Sequence, residues 1–543
     1  MVASFLSISQ ELFDQICEDC DRRTLASLAR THRAFTYASL AALWRVLPSL
    51  APLVCVLSSD AIACTMSPYP GLSWIEQPLL SLKRELTPTD LERFHFYAPL
   101  VEQLLVSYPA KFGANVPPDV WRVVARARAV PLPNLRRVTV HEQIAGDRPT
   151  FTCVPFLIGA KLKELCICLT STHVAAGSDR LKTPFSELLA SLPRRCPQLA
   201  HLKLSVVQPT PYMADAVADA ICGVPQLVSL TIEGIPLLAR AFTHLRSSPS
   251  LRSLTIDVQS TDDLEGGHGD DDSADSAFPA LSTLSITTNS MGRTGSLIRF
   301  ARPPHLTSLE ITILGNATLD DFSTLTGTIA SLPSYKQLEH LVIRISQPVP
   351  TARVAFVSLP PAAIEPLHAL SALRTFAGHC HAPLDDAAFL RMALAWPHIE
   401  DLSLFAVRCS PGNVSLAGLV EFRQLCGSLR SIEVELANVD HDECTALLAR
   451  LRPLATHKSI EPSRPSVTGA ASTIVVGTPS IEKEDVDAVI EILSIAFPTG
   501  VELRHCWYPS DDEDEDEPEM GGAMFRRWED VSQGLRDRIA SRK

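Results

Sequence analysis

The sequence predicts an α/β chain: a short N-terminal module of three helices, then an irregular solenoid of strand–helix units stacked with a parallel sheet on the concave side. Three observations predict it. A six-residue apolar unit recurs along most of the 543 residues, helical patterns fill the gaps between its copies, and residues 8–47 carry helical periodicity without the unit. A chain this long exceeds the ~100–200 residues of one ordinary domain, so several domains or a repeat array are expected.

In the N-terminal module, placed at residues 4–50, Leu12, Phe13, Ile16, Cys17 and Cys20 fall on one helical face. Thr24 is the expected cap of a second helix carrying Leu25, Leu28 and Ala29, and a third carries Leu40, Leu43, Trp44 and Leu47. Three helices in so few residues bury too little to be stable alone, which predicts packing against a partner or the repeats that follow. Residues 51–100, whose last part opens the string "LTPTDLERFHFYAPLVEQL" (86–104), read as a helical connector.

From 101 to 454 the repeat takes over. It reads as an apolar residue, two variable ones, then two apolar residues separated by a variable one. It appears as "LRRVTV" from Leu135, "LKELCI" from Leu162, "LAHLKL" from Leu199, "LVSLTI" from Leu227, "LRSLTI" from Leu251 and "LSTLSI" from Leu281. It continues as "LTSLEI" from Leu306, "LEHLVI" from Leu338, "LRTFAG" from Leu373, "IEDLSL" from Ile399 and "LRSIEV" from Leu429, with "VEQLLV" from Val101 as a first copy. The copies from Leu135 onward are 27, 37, 28, 24, 30, 25, 32, 35, 26 and 30 residues apart. That brackets and overshoots the 20–29 residues of a leucine-rich repeat.

Alternation such as Leu202-Lys203-Leu204 marks a strand with one buried face. Segments such as "TPFSELLASL", "YMADAVADAI", "LDDAAFLRMAL" and "SLAGLVEFRQL" read as the intervening helices. A unit of this size cannot bury its apolar side alone, so neighbours stack. The Asn or Cys expected three residues after the last strand leucine is met only by Asn289; Val207, Ile235, Gln259, Leu314, Ser346, Val407 and Ala437 stand there instead, which predicts turns satisfied in other ways. A doubly wound α/β enzyme would need a Gly-rich phosphate loop, and no unit carries one.

Residues 455–473 are polar and rich in Pro and Ser, a linker; 474–508 read as a terminal repeat, and 509–543 as an acidic tail with a short helix. The net charge of −13 is local: 262–275 hold seven acids and 511–519 hold eight, so the rest of the chain is near neutral. No basic stripe is present to neutralise phosphates, which argues against a nucleic-acid partner. The first residues lack a basic leader and no run of 18 apolar residues occurs along the sequence, so an intracellular chain, cytoplasmic or nuclear, with no membrane partner is expected. The fourteen cysteines then read as reduced, buried side chains.

The string Ile8-Ser9-Gln10-Glu11-Leu12, followed by Ile16, Leu25, Leu28 and Trp44, resembles an F-box, and with the repeats the chain resembles the F-box-like leucine-rich proteins abundant in mushroom-forming fungi. Ser9 stands where that family usually has Pro, which loses a φ pre-set for helix entry. The resemblance implies a substrate-recognition subunit of an SCF-type, cullin–RING ubiquitin ligase, with Ile8, Ser9, Leu12, Ile16, Leu25 and Leu28 contacting a Skp-family adaptor. A second reading is a leucine-rich scaffold whose first helices only cap the solenoid.

No catalytic, metal or cofactor site is expected. Cys17 and Cys20 lack a second ligand pair, and "HCH" at 379–381 with Asp385 and Asp386, or "DHDEC" at 440–444, sit where acids commonly begin helices. The informative positions are strand residues facing away from the core. Towards the C-terminal repeats these include His340, Arg344, Asp401, Ser403, Phe405 and Glu433, a surface expected to bind a client protein.

Overall fold

The computed structural model describes residues 10–69, 72–108, 116–126, 131–144, 150–171, 178–207, 211–258, 277–315, 318–345, 360–379, 383–404, 412–457, 472–498, 500–507 and 520–541. The chain divides into two compact units, Met1–Asp272 and Ser273–Lys543.

The first unit opens with helices α1 (Gln10–Asp19), α2 (Arg22–Thr31) and α3 (Arg33–Arg45). Helix α3 runs directly into a short strand, β1 (Val46–Leu47), which pairs in parallel with β4 (Gln103–Tyr108). The module therefore supplies the first strand of the repeat sheet, and its boundary with the repeats is less sharp than 4–50 implies. The sheet continues from β4 through β5 (Arg137–Ile144), β6 (Glu164–Ser171), β7 (His201–Val206), β8 (Ser229–Glu233) and β9 (Ser253–Val258), all parallel.

The expected all-helical connector is half strand. An antiparallel hairpin of β2 (Ile62–Tyr69) and β3 (Leu72–Leu82) precedes the helical turns Pro88–Leu91 and Glu92–Tyr97. Its alternation was obscured by Pro68 and by Met66, an apolar residue on an outward position that is 58% exposed. Asp90 anchors the junction: its carboxylate accepts from both Arg84 Nη1 at 2.7 Å and the Thr87 amide at 2.7 Å, and these bonds hold it well below the usual carboxylate range.

The second unit is built the same way. Strands β10 (Thr283–Thr288), β11 (Ser308–Ile313), β12 (His340–Ile345), β13 (Thr375–His379), β14 (Asp401–Leu404), β15 (Ser431–Val434), β16 (Ser472–Val476) and β17 (Val501–His505) form a parallel sheet in chain order. Helices Leu319–Ala330, Asp386–Ala395, Leu416–Leu425, His441–His457 and Val486–Ala496 alternate with the later strands. The predicted α/β solenoid is thus present in both units.

Each hexamer is placed alike. The strand starts two residues after the leading apolar residue, and first strand residues pair with first strand residues: Arg137 with Glu164 and His201, then Ser308 with His340 and Thr375. Leading leucines and the two strand leucines point inward; Leu199, Leu204, Leu230 and Ile232 are fully buried. Burying each is worth roughly 1.5–3 kcal/mol. The leading amide closes a tight turn onto the carbonyl three residues back, as in Leu199 to Cys196 at 3.0 Å and Ile399 to Trp396 at 3.1 Å. Those turn residues are themselves core, and Trp396 Nε1 donates to Leu367 O at 3.1 Å.

The missing Asn is replaced piecemeal. After β8 the chain turns at Gly234, whose φ of 80° suits glycine and where a Cβ would lie 1.9 Å from Val206 O; its amide donates to Asp257 Oδ2 at 3.2 Å. After β5, buried Glu142 accepts from the Phe151 amide at 2.8 Å.

The expected short tail helix is long and integral. Met520–Ala540 packs against Val486–Ala496 and β17, burying Trp528, Val531 and Leu535 completely. Trp528 Nε1 donates to Pro479 O at 2.9 Å and Ser532 Oγ to Leu503 O at 3.3 Å, while Arg527 Nη1 reaches Glu482 at 3.1 Å. The acidic run at 511–519 lies outside the described residues, as do all of 262–275 and most of 455–473. A helix that closes the last repeat with a tryptophan should be needed for stability. Trp528→Ala is expected to cost about 3–5 kcal/mol in chemical denaturation, with the loss appearing as increased hydrogen exchange in β17 and Val486–Ala496.

Candidate functional site

The helices of the N-terminal module split their apolar residues between two directions. Asp21, not Thr24, caps α2: its side chain accepts from Arg23 N at 2.8 Å and Thr24 N at 2.9 Å, while Thr24 Oγ1 donates back to it. His32 Nδ1 accepts from Ala34 N at 3.1 Å and caps α3. The small core comprises Phe13, Cys17, Leu25 and Ala38, with Cys20, Phe35, Ala42 and Leu43 packed against it. The Phe13 and Phe35 rings stack at 4.9 Å, and Trp44 stacks on Tyr97 at 4.3 Å, joining α3 to the connector.

Cys17 is therefore a core side chain. Its sulfur lies 3.9 Å from Ser39 Oγ, and burial pushes the thiol up, away from reactivity. Leu12 and Ile16, one helical turn apart on α1, point the other way, at 50% and 40% exposure. Of the six residues expected at an adaptor contact, these two form an exposed apolar pair, Leu28 is half-buried and Leu25 belongs to the core. Ile8 and Ser9 lie outside the described residues.

The second candidate surface is the outward face of the sheet in the second unit. Register brings the expected client residues into rows across strands: Ser308, His340, Thr375, Asp401 and Ser431 in one, and Glu310, Val342, Ala377, Ser403 and Glu433 in the next. A third row holds Thr312 and Arg344. Neighbours within and between rows are bonded. His340 Nδ1 is 3.0 Å from Thr375 Oγ1, Ser403 Oγ donates to Glu433, and Arg344 pairs with Glu310. Asp401 is half-buried; burial pushes its carboxyl up and Glu400 adds to this, against the opposing pull of Arg430, His340 and a hydrogen bond from Thr375. Phe405 lies outside the described residues.

One feature of this surface was not anticipated. The residue just before each strand pair, the second of the hexamer, alternates in sign from repeat to repeat: Glu339, Arg374, Glu400, Arg430. Arg374 reaches Glu400 at 2.7 Å and Glu339 at 3.5 Å, and Arg430 reaches Glu400 at 3.3 Å, a ladder along one edge of the rows. The signal was legible as an alternation of charge at one repeat position. Exposed pairs of this kind contribute ~0.2–1 kcal/mol each, so the ladder shapes the surface potential more than it stabilises the fold.

Of the strings that could have been drawn as metal clusters, Cys380 and His381 lie outside the described residues, and the acids that are described stand at helix starts. Asp385 accepts from Ala388 N at 2.7 Å; Asp386 accepts from both the Ser415 amide at 2.7 Å and Ser415 Oγ at 2.6 Å, linking consecutive repeats. Asp440 accepts from Glu443 N at 3.1 Å, and Cys444 is buried. His441 Nδ1 lies 2.6 Å from Asp485, whose carboxylate raises its affinity for a proton. Among the described residues, no group of three or more His, Cys, Asp or Glu side chains is arranged to hold a metal ion, and no helix is long and apolar enough to cross a membrane.

No family model and no curated protein matches the chain. Among solved structures it is similar to a chain in the crystal structure of the Rad7 and Elc1 complex in yeast, at 16% identity and a TM-score of 0.34, over 80% of this chain and 90% of that one.

The core of the module and the exposed face of α1 should separate in experiment. Leu25→Ala is expected to cost about 2–5 kcal/mol within the module, whereas Ile16→Asp, at an exposed position, should change stability by about 0.5 kcal/mol or less. Hydrogen exchange of α1–α3 in the full chain distinguishes them: fast exchange throughout the module for Leu25→Ala, and near wild-type protection for Ile16→Asp.

Proposed function

We propose that the protein is a non-catalytic recognition subunit of an SCF-type, cullin–RING ubiquitin ligase, docking a Skp-family adaptor through α1 and a client protein through the outward sheet face of the second unit. The observation that carries the reading is the division of α1. Phe13 and Cys17 satisfy the module's core, so the exposure of Leu12 and Ile16 is not explained by folding, and an apolar pair one turn apart is the form a helix takes to enter a partner's groove. The sheet face supports the client role, since stacked repeats present a broad surface of hydroxyl, acidic and basic groups on rigid strands.

A second reading, a leucine-rich scaffold whose helices serve as a cap, is favoured by one observation: β1 pairs with β4, so the module covers the first strand of the repeat sheet. The two roles share the module but use different parts of it, the cap through β1 and the dock through the exposed face of α1.

Burial of an isoleucine is worth roughly 1.5–3 kcal/mol, equivalent to at least about tenfold in affinity. Ile16→Asp in the full chain should therefore reduce co-purification of a Skp-family adaptor by at least about tenfold with the circular dichroism spectrum unchanged. Undiminished co-purification would leave only the scaffold reading. For the client face, alanine at His340, Arg344, Asp401, Ser403 and Glu433 together should lower the yield of ubiquitinated proteins captured with the full chain while adaptor binding persists; equal capture by variant and wild type counts against that surface.

A further inference from the structure

The outward face of the first unit carries a pair of cysteines that the ligase reading does not use. Cys166 and Cys168 lie two residues apart on β6, whose other face buries Leu165, Ile167 and Leu169. Both point outward, both are half-buried, and their sulfurs are 3.8 Å apart, bonded thiol to thiol. The remaining environment is polar. On β5, Thr139 is in register with Cys166 and His141 with Cys168; on β7, Lys203 is beside Cys166 and Ser205 beside Cys168; Glu164 precedes them on the same face. Lys203 Nζ is 2.9 Å from Glu233 on β8.

Cys168 differs from the core thiols in its chemistry. Cys153, Cys196, Cys426 and Cys444 are buried in the core, and burial pushes their thiols up, to about 12 for the last three. Cys166 and Cys168 are driven apart: their hydrogen bond and then burial push Cys166 up, whereas Cys168 is pushed down, first by the hydrogen bond from Cys166 and then, against burial, by the Lys203 ammonium. An acidified, accessible thiol with a second thiol 3.8 Å away is the arrangement of a sensor cysteine beside a resolving cysteine.

We propose that Cys166 and Cys168 form a dithiol that reacts with hydroperoxides and closes to a reversible disulfide within β6. The Cys168 thiolate attacks one peroxide oxygen and the O–O bond breaks; the departing oxygen takes up a proton and leaves as water or an alcohol, and Cys168 becomes a sulfenic acid. Cys166 then gives up its proton, its sulfur bonds to that of Cys168, and the sulfenic oxygen leaves as water. With hydrogen peroxide, two thiols and one peroxide yield one disulfide and two waters, and the two electrons pass from sulfur to oxygen.

Geometry makes the closed form reducible. Alternate residues of a strand have Cα atoms about 6.6–6.8 Å apart, at the outer limit of the range a disulfide spans, so closure puckers β6 and favours ready reduction by a monothiol such as glutathione. The site is independent of the ligase reading, since it lies in the first unit and involves none of the residues invoked for adaptor or client.

Sequence makes the test clean, because the tryptic peptide 164–180 contains Cys166 and Cys168 and no other cysteine. Reduced full-length protein is treated with equimolar hydrogen peroxide, quenched by alkylation and digested without reductant. Peptide 164–180 should be recovered two hydrogens lighter and unalkylated, while the exposed Cys55, Cys64 and Cys222 remain free to alkylate, and glutathione should restore it. In Cys166→Ser, dimedone should trap a sulfenic acid on Cys168; in Cys168→Ser, Cys166 should alkylate as before. Recovery of 164–180 with both cysteines alkylated to the extent of Cys55, Cys64 and Cys222, or cross-linked to another chain, overturns the proposal.

Discussion

In both units, consecutive repeats are tied by one backbone carbonyl that accepts two amides from the next repeat. Glu102 O accepts from Arg136 N at 2.7 Å and Arg137 N at 3.0 Å; Arg136 O, Lys163 O, Ala200 O and Val228 O repeat the pattern, as do Ser282 O, Thr307 O, Glu339 O, Arg374 O and Glu400 O in the second unit. The donor pair is the second and third residue of each hexamer. That bond sets the start of every strand, and because strand side chains alternate, it sets which residues are core and which are surface. A slip of one residue would turn Leu202 and Leu204 outward and bury Lys203.

Everything between these ties is permitted to vary. The intervals between hexamers range from 24 to 37 residues, and what fills them is a helix of 18 residues at Ser178–Arg195 or short helical turns at Pro361–Ile364 and Glu365–Ala369. Without a recurring Asn, each turn is satisfied by what is at hand: a glycine with Asp257, buried Glu142, or Asp386 reaching across to Ser415. A buried backbone amide without a partner costs ~1–3 kcal/mol, so these individual solutions are as necessary as the leucines. The same rigidity with local freedom suits a protein that presents side chains in rows: the hydroxyls, acids and bases of the outward face are held in register by bonds that do not involve them.

The terminal elements handle the exposed ends of this arrangement in different ways. At the C-terminal end a long helix lays Trp528 into the last repeat. At the N-terminal end the module contributes β1 and stacks Trp44 on Tyr97, leaving one face of α1 committed to its own core and the adjacent face, Leu12 and Ile16, turned to solvent.

The sequence by itself determined the repeat, the position of the strand in each hexamer, several of the helices between them and the inward direction of the hexamer's apolar residues, because a period of two follows once the leading leucine is known. It also disposed of Cys17 and Cys20 as a chemical pair, since no further ligands accompany them. It did not distinguish Leu12 from Phe13 or Ile16 from Cys17. A helix with apolar residues over a wide arc can bury only part of it, and the neighbours that choose, Phe35, Leu25 and Ala38, come from other helices. Nor did it separate hairpin from helix in the connector, or show that the last helix is core, because both depend on the surface each element meets. Only the tertiary structure decided which apolar residues remain exposed, that charges at one repeat position form a ladder, and that Cys166 and Cys168 meet within 3.8 Å beside Lys203. These are relations between strands and helices distant in sequence, and a local pattern carries no record of them.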